Sequence, residues 1–257
     1  MTKILVTGGT GVLGRAVLRE LLDRDHEVRV AGRGARPEPD GFPDAAADWA
    51  TVNYDTAAGL AAALDGVRTV VHCATSFRGG EVQLARTLTT AALAAGAPHL
   101  VYISIVGVDR IPLGYYRDKL AAERVFEGSG LPWTVLRATQ FHDLVYRLLG
   151  TAARLPVLPL PAGFRCQPVE AGEVAGRLAD LAEGGAAGRA PDFGGPEIQP
   201  FAELARTYLR GTGRRRPLLP VPVPGAIARG YREGAHLAEH GPRGRRTFAE
   251  YVHHRHP

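Results

Sequence analysis

In the stretch Gly114–Glu123, GYYRDKLAAE, Tyr115 and Lys119 stand four residues apart, and the lysine is an exception in its own chain. Of 31 basic residues only Lys3 and Lys119 are lysines; every other one is arginine. An Arg-, Ala- and Gly-rich composition of the kind a GC-rich coding sequence produces would leave a stray lysine without meaning. Against that, an ammonium is not interchangeable with a guanidinium where a compact charge must reach one oxygen or tune a neighbouring pKa. Residues four apart on a helix project from the same face. A phenol with an unperturbed pKa near ~10 is a poor proton donor and a worse base at neutral pH, and a nearby ammonium favours its phenolate and brings that pKa down. Ser104 closes the preceding strand, so Ser104, Tyr115 and Lys119 could converge as a catalytic set. The plainer reading of Ser104 is a strand-end hydroxyl bonded to backbone.

A second constellation lies at the start of the chain. TGGTGVLG, residues 7–14, places Gly8, Gly11 and Gly14 directly after a strand pattern and directly before a helix pattern. A lone glycine triplet is weak, but this context is the one a dinucleotide requires. The early glycines let the backbone approach a pyrophosphate, Gly14 permits close helix–strand packing, and free N–H groups at the helix start face the phosphates. At the end of the second strand, where a carboxylate would bind a ribose 2′-hydroxyl, VRVAGRGAR has no acid. Arg33, with Arg36 nearby, instead offers a planar donor set suited to a 2′-phosphate, which predicts NADP(H). In so arginine-rich a chain, Arg33 could also be a solvated loop residue.

The elements that must position these residues follow from periodicity. Strands are expected at 3–7, 28–31, 49–53, 67–74, 99–104 and 132–137, with helices at 12–23, 56–64, 81–95 and 115–127 and a Gly, Arg and Pro loop running through Pro43. Strand alternating with helix predicts an α/β fold, a Rossmann-like doubly wound parallel sheet. Beyond His142 the rhythm degrades. Residues 155–168 are rich in Pro and Gly, 170–182 and 200–209 are expected as helices, and 217–224 as an extended segment. The expected organisation is a dinucleotide-binding core over 1–141 and a smaller, substrate-covering C-terminal region over 142–257, packed on the same domain.

With 257 residues the chain can bury a substantial core. A net charge of +5 suits an anionic ligand, whether nucleic acid, a membrane surface or a phosphorylated cofactor. Cys73 and Cys166 show neither metal spacing nor a disulfide framework, so no metal site is expected and a reduced, cytoplasmic setting fits. MTKILVTGG reads as a core strand rather than a targeting segment, and no apolar run approaches bilayer length, so a soluble protein with no membrane partner is expected.

Taken together, TGGTGVLG, the strand-end Arg33, CATS at 73–76, YISIVGVD at 102–109, YYRDKLAAE at 115–123 and LPWTVLRATQF at 131–141 resemble the atypical short-chain dehydrogenase/reductases, in the NmrA-like, NAD(P)H-binding branch. The resemblance spans about residues 1–175. It implies that Thr10, Gly11, Val12 and Leu13 touch the pyrophosphate and Arg33 the 2′-phosphate. Asn53 and Tyr54 would lie beside the adenine, where the family more often has an aspartate. Ala74 and Thr75 would approach the ribose, and Thr139, Gln140 and Phe141 would flank the nicotinamide. Lys119 would also bond the nicotinamide ribose, Ser104 a substrate carbonyl, and Tyr115 would supply the proton that accompanies hydride transfer. The branch often lacks the tyrosine and keeps only the lysine-like position and a later glutamate, here Glu123.

Other features read as scaffolding. His142-Asp143 is expected as a surface histidine beside a helix-start acid, Gln167–Glu170 as architecture, and the terminal HHRHP as a frayed tail. The clusters Arg214–Arg216 and Arg243, Arg245, Arg246 lack a recognition helix or aromatic platform, so solvated loops are expected rather than nucleic-acid contacts. The leading expectation is an NADPH-dependent reductase of a small carbonyl, quinone or enone. A non-catalytic NADP(H) sensor and a redox-neutral isomerase or cyclase are the alternatives, in a monomer or homodimer.

Overall fold

The computed structural model describes residues 2–37, 46–76 and 79–256. The chain forms two compact units. The first comprises Met1–Ser104, Gly114–Leu136 and Val174–Ala190; the second comprises Ile105–Leu113, Arg137–Glu173 and Pro191–Pro257.

The first unit is built on β1 (Lys3–Thr7), α1 (Val12–Asp23), β2 (Glu27–Gly32), β3 (Asp48–Thr51), α2 (Leu60–Leu64), β4 (Thr69–His72), α3 (Glu81–Ala94), β5 (His99–Ile105), α4 (Gly114–Glu127) and β6 (Trp133–Ala138). The strand order is β3-β2-β1-β4-β5-β6, completed by the two-residue strand Gly188–Arg189. β1 pairs in parallel with β2 on one side and β4 on the other, with Val6 opposite both Val30 and Val71. Chain progression therefore reverses at the β1/β4 boundary, the crevice at which doubly wound sheets bind ligands beyond their strand ends. The loops that leave β1 and β4 are the glycine loop and residues 73–76.

Ile4, Leu5, Val6, Val70 and Val71 are fully buried, as strands covered by helices on both faces require. One apolar cluster gathers Leu60, Leu64, Leu88, Leu100, Tyr102 and Phe126. The expected doubly wound parallel sheet is present, with boundaries shifted by one or two residues at most elements. The larger difference is α2, which starts at Leu60 rather than 56. Asn53 caps a local turn by accepting from the N–H of Asp55 at 2.8 Å and of Thr56 at 3.2 Å, and Ala57 and Gly59 adopt φ of 60° and 80°. Side-chain bonding to nearby backbone competes with helix in this way. Of the expected loop through Pro43, residues 38–43 lie outside the described ones.

The second unit holds α5 (His142–Ala152), helices Phe201–Gly211, Ala226–Arg232 and Phe248–Arg255, and two small sheets. Leu158–Pro161 pairs in parallel with Leu218–Val221, and Arg165–Cys166 pairs antiparallel with Gln199–Pro200. Val145, Leu149, Leu204, Tyr208, Phe248 and Val252 are part of its own apolar cluster.

Three expectations for this region are corrected. The C-terminal segment is not frayed: Thr247 and Glu250 form a reciprocal capping box that starts the last helix, which carries His253 and His254. His256 follows it and binds the Tyr146 hydroxyl at 2.6 Å. His142 is not at the surface; it is fully buried, its Nε2 lies 3.0 Å from the Arg246 carbonyl, and burial pushes its pKa down to about 4. Arg246 is not a purely solvated charge either, since it pairs with Glu170 at 3.1 Å.

Candidate functional site

The glycine loop fits a dinucleotide on steric grounds. Gly8 has φ of 70°, and a Cβ there would meet the Ala74 backbone at 2.6 Å. A Cβ on Gly14 would sit 2.1 Å from the Gly8 carbonyl oxygen, so only glycine lets α1 begin this close to β1. Gly11 caps α1 without any side-chain bond, which leaves the first-turn N–H groups of Val12, Leu13 and Gly14 without intrahelical partners. Thr10, Gly11 and Val12 are exposed, so the positive end of the helix opens outward.

Arg33 follows β2 and is exposed. It lies close enough to Tyr54 to pull that phenol down, but burial wins and the Tyr54 pKa rises to about 12. Asn53 is exposed, with its carbonyl oxygen already engaged in the turn described above. Its amide nitrogen is the part open to a ligand.

The centre of the first unit holds a buried polar chain. Lys119 projects from α4 and is 3% exposed; its Nζ donates to Glu81 Oε1 at 3.1 Å and to the Ile103 carbonyl at 2.9 Å. The Tyr102 hydroxyl donates to the same carboxylate oxygen at 3.0 Å, and the ammonium lies 4.2 Å from the centre of its ring. The other oxygen, Glu81 Oε2, accepts from the Ser76 N–H at 2.7 Å and from the Thr75 hydroxyl at 3.2 Å. Thr75 Oγ1 is in turn 2.9 Å from the Tyr115 hydroxyl. Since Thr75 spends its single proton on the carboxylate, Tyr115 is the donor in that last bond.

Electrostatics follow from this chain. Burial pushes Glu81 up, but Lys119 and the Ser76 N–H outweigh it and hold the carboxyl below its ordinary value. Burial draws Lys119 down, with Glu81 opposing. Burial raises the Tyr115 phenol, Thr75 pulls it back and the Glu81 carboxylate raises it again. The expected lowering of Tyr115 by Lys119 is thus not found, because Glu81 intercepts the ammonium.

Tyr115 and Lys119 are brought together through Thr75 and Glu81. Ser104 is buried at the end of the unit's β5 segment, and its hydroxyl has no partner among the described residues, so the reading of a backbone-bonded hydroxyl does not hold. A hydroxyl left so needs a partner from a ligand or water. Glu123, four residues after Lys119, is buried in α4. In the second unit, Thr139 donates to the Gln167 carbonyl at 2.6 Å and accepts from the Gly195 N–H, which commits it to structure. Gln140 Nε2 is buried without a partner among the described residues, and Phe141 bridges to Val169.

Glu81 is the residue that sequence reasoning missed. It reads as an ordinary acid in the first turn of a helix, a position favoured by the helix dipole. Its one signal was the paired Gly79-Gly80 before it, which take φ of 86° and 88° and turn the chain so that Glu81 points inward.

The profile of the NAD(P)H-binding family matches residues 8–147, more than half of the chain. The chain belongs to the NAD(P)H-binding family of atypical short-chain dehydrogenase/reductases. Relatives in this oxidoreductase family include divinyl chlorophyllide a 8-vinyl-reductase of Oryza sativa, 30% identical over 250 residues that make up 86% of this chain. The chain spans 62% of the length of that relative. Quinone oxidoreductase 2 of Escherichia coli is 25% identical over 217 residues, 82% of this chain and 75% of that protein. The crystal structure of the Escherichia coli NADPH-dependent quinone oxidoreductase complexed with NADPH superimposes with a TM-score of 0.79 at 20% identity, covering 98% of this chain and 99% of that one. A nucleoside-diphosphate-sugar epimerase of Staphylococcus aureus also reaches 0.79, at 17% identity over 98% of this chain and 100% of its own. The family's cofactor, NAD(P)H, is the ligand the glycine loop is shaped for. Among the described residues there is no cluster able to hold a metal ion and no helix long and apolar enough to cross a membrane.

Proposed function

We propose that the protein is an NADPH-dependent reductase of a small organic carbonyl, quinone or conjugated enone. The observation that carries this reading is the chain Tyr115–Thr75–Glu81–Lys119, which sets one phenol, through the Thr75 hydroxyl, beside a buried carboxylate and its ammonium partner. A phenol whose pKa lies above its ordinary value keeps its proton across the physiological range and is a poor base, so it yields that proton only to a strongly basic oxygen such as the one hydride addition to a carbonyl leaves, which favours the reductive direction. The names of the relatives, a quinone oxidoreductase and a vinyl reductase, agree in reaction type.

Thr10, Gly11, Val12 and Leu13 would hold the pyrophosphate and Arg33 the 2′-phosphate, making NADP(H) rather than NAD(H) the cofactor. Asn53 and Tyr54 would border the adenine, Ala74 and Thr75 the ribose, and Thr139, Gln140 and Phe141 the nicotinamide. When bound, the dihydronicotinamide supplies hydride. The chain's residues do the rest. The unpartnered Ser104 hydroxyl is suited to donate to the substrate oxygen. Tyr115 delivers the proton once its O–H turns away from Thr75, and the Thr75 hydroxyl can then turn from Glu81 to the resulting phenolate. Lys119 spends two of its three N–H groups on Glu81 and Ile103, leaving one for a ribose hydroxyl.

A second reading, a non-catalytic NADP(H) sensor, is favoured by one feature: the ammonium is already satisfied inside the protein and does not lower the Tyr115 pKa. NADPH titration followed by a panel of quinones, ketones and enones, read by nicotinamide absorbance, separates the two. Oxidation of NADPH that depends on substrate and disappears in Tyr115→Phe supports the reductase. Tight binding with no oxidation across the panel defeats it in favour of the sensor.

A further inference from the structure

We propose that the second unit docks on an anionic lipid surface through the segment Arg214–Ile227 and the strand pair it forms. The observation is a segregation of charge and apolar surface that has no part in the chemistry above. Residues 144–163 and 204–232 together contain nine arginines and no aspartate, glutamate or lysine. The remaining sequence holds 22 basic residues against all 26 acidic ones, a net of −4, so the chain's overall charge of +5 arises from these two segments alone.

The two segments meet in the parallel pair Leu158–Pro161 and Leu218–Val221, where Leu219 lies opposite Pro159 and Val221 opposite Pro161. From Gly213 to Ile227 every residue except Leu218 is exposed. Leu219 and Val221 share one face of their strand by the two-residue alternation and are 49% and 37% exposed; Val223 continues the series at 38%. At the start of the partner strand, Leu155 and Val157 are 50% and 39% exposed, and Ile227 is 40% exposed beyond Val223. The unit thus leaves aliphatic side chains in water along a strand whose prolines, Pro220, Pro222 and Pro224, remove the N–H donors that another strand would need.

The charges lie along the same segment. Arg214, Arg215 and Arg216 lead directly into the strand, and none of them is paired with a carboxylate among the described residues. Arg232, at the far end, donates to the Val223 carbonyl at 2.8 Å. Aliphatic residues flanked by long cationic side chains match the boundary between acyl chains and anionic headgroups, into which arginine stems extend while their guanidinium groups reach phosphate. A second copy fits poorly, because an isologous interface would set the same arginine run against itself. Nucleic acid offers phosphates but no apolar phase for Leu219 and Val221, and no aromatic side chain in Arg214–Ile227 could stack on bases. The surface departs from the sequence expectation of no membrane partner, and it is independent of the proposed reductase activity.

The test is co-sedimentation of the full chain with phosphatidylcholine vesicles and with vesicles in which about a third of the lipid is phosphatidylglycerol. The expected result is binding to the anionic vesicles only, weakened by raised salt. Replacing Arg214, Arg215 and Arg216 by Gln should weaken it about a hundredfold. Leu219→Ser with Val221→Ser should weaken it at least tenfold. Unchanged circular dichroism and NADPH affinity would show that both variants remain folded. No binding to either vesicle overturns the proposal. So does binding that is indifferent to the Leu219 and Val221 replacements, which would mark a general polyanion site, or a dimer in light scattering that those replacements dissociate.

Discussion

Lys119 Nζ and Glu81 Oε1 lie 3.1 Å apart with both side chains almost wholly removed from water, at 4% and 1% exposure. A buried pair of this kind is held by geometry and added hydrogen bonds, and loss of one partner strands the other as an unpaired buried charge. Here the added bonds come from Tyr102, Thr75, Ser76 and Ile103. They link the interior of the sheet to the proposed catalytic phenol. Glu81 is thus a positioning residue: it fixes where the ammonium sits and which way the Thr75 and Tyr115 protons point.

Glu81→Gln should cost about 3–5 kcal/mol of stability, because it leaves Lys119 charged and buried without its partner. Urea denaturation measures this. The double variant Glu81→Gln with Lys119→Met should recover a large part of the loss, as no charge then remains in the core. Equal stability of the double and single variants would show that the two side chains are not coupled.

Thr75→Val removes the bridge between Tyr115 and the carboxylate while keeping the side chain's volume. NADPH affinity should hold within about threefold, whereas turnover on an accepted substrate should fall about 10²-fold or more, in the range of lost acid catalysis. Ultraviolet titration of the tyrosines offers a readout without turnover. The Tyr115 phenol should move further up, since Thr75 is the group that draws it down.

Arg33→Ser should weaken NADPH binding by about 10- to 150-fold and leave NADH nearly unchanged, the range expected for a lost hydrogen bond to a charged group. Isothermal titration with both reduced cofactors measures it. Parallel losses for both would assign Arg33 to the adenine or the loop rather than to a 2′-phosphate.

Much of the first unit was legible in sequence because local signals agreed with one another. Gly8, Gly11 and Gly14 sit where the turn, the strand and the helix each demand them, and the strands buried on both faces are continuous apolar runs. The partners of Lys119 were not legible. The spacing of Tyr115 and Lys119 is a helix-face relation, while Glu81 reaches Lys119 from α3, a separate helix packed beside α4, and the two glycines before it take left-handed conformations. The buried state of His142 and the docking of the last helix were hidden for the same reason. Both rest on contacts about a hundred residues apart in sequence, such as His142 with Arg246 and Tyr146 with His256.

Acid should unfold the protein through its buried histidines. Burial holds His72 neutral, with its pKa down to about 3, and Glu81 and Lys119 pull it in opposite directions; His142 is held at about 4, chiefly by burial. In the unfolded chain both would titrate near 6.5. The unfolded state therefore binds more protons as pH falls below that value, and stability declines with it. The decline should run from about pH 6.5 towards pH 4 at up to about 1.4 kcal/mol per pH unit for each histidine, and His72 should continue it to about pH 3. Glu81, whose folded pKa is lowered, adds a loss of the same sign once pH drops below the ordinary carboxylate range. Burial also lowers His99 and His236, which add to the same loss, so urea midpoints measured across this range should give a slope of at least about two protons between pH 4 and 6. His142→Phe should reduce it by about one. A flat profile over that window would show that these two imidazoles gain protons without unfolding the chain.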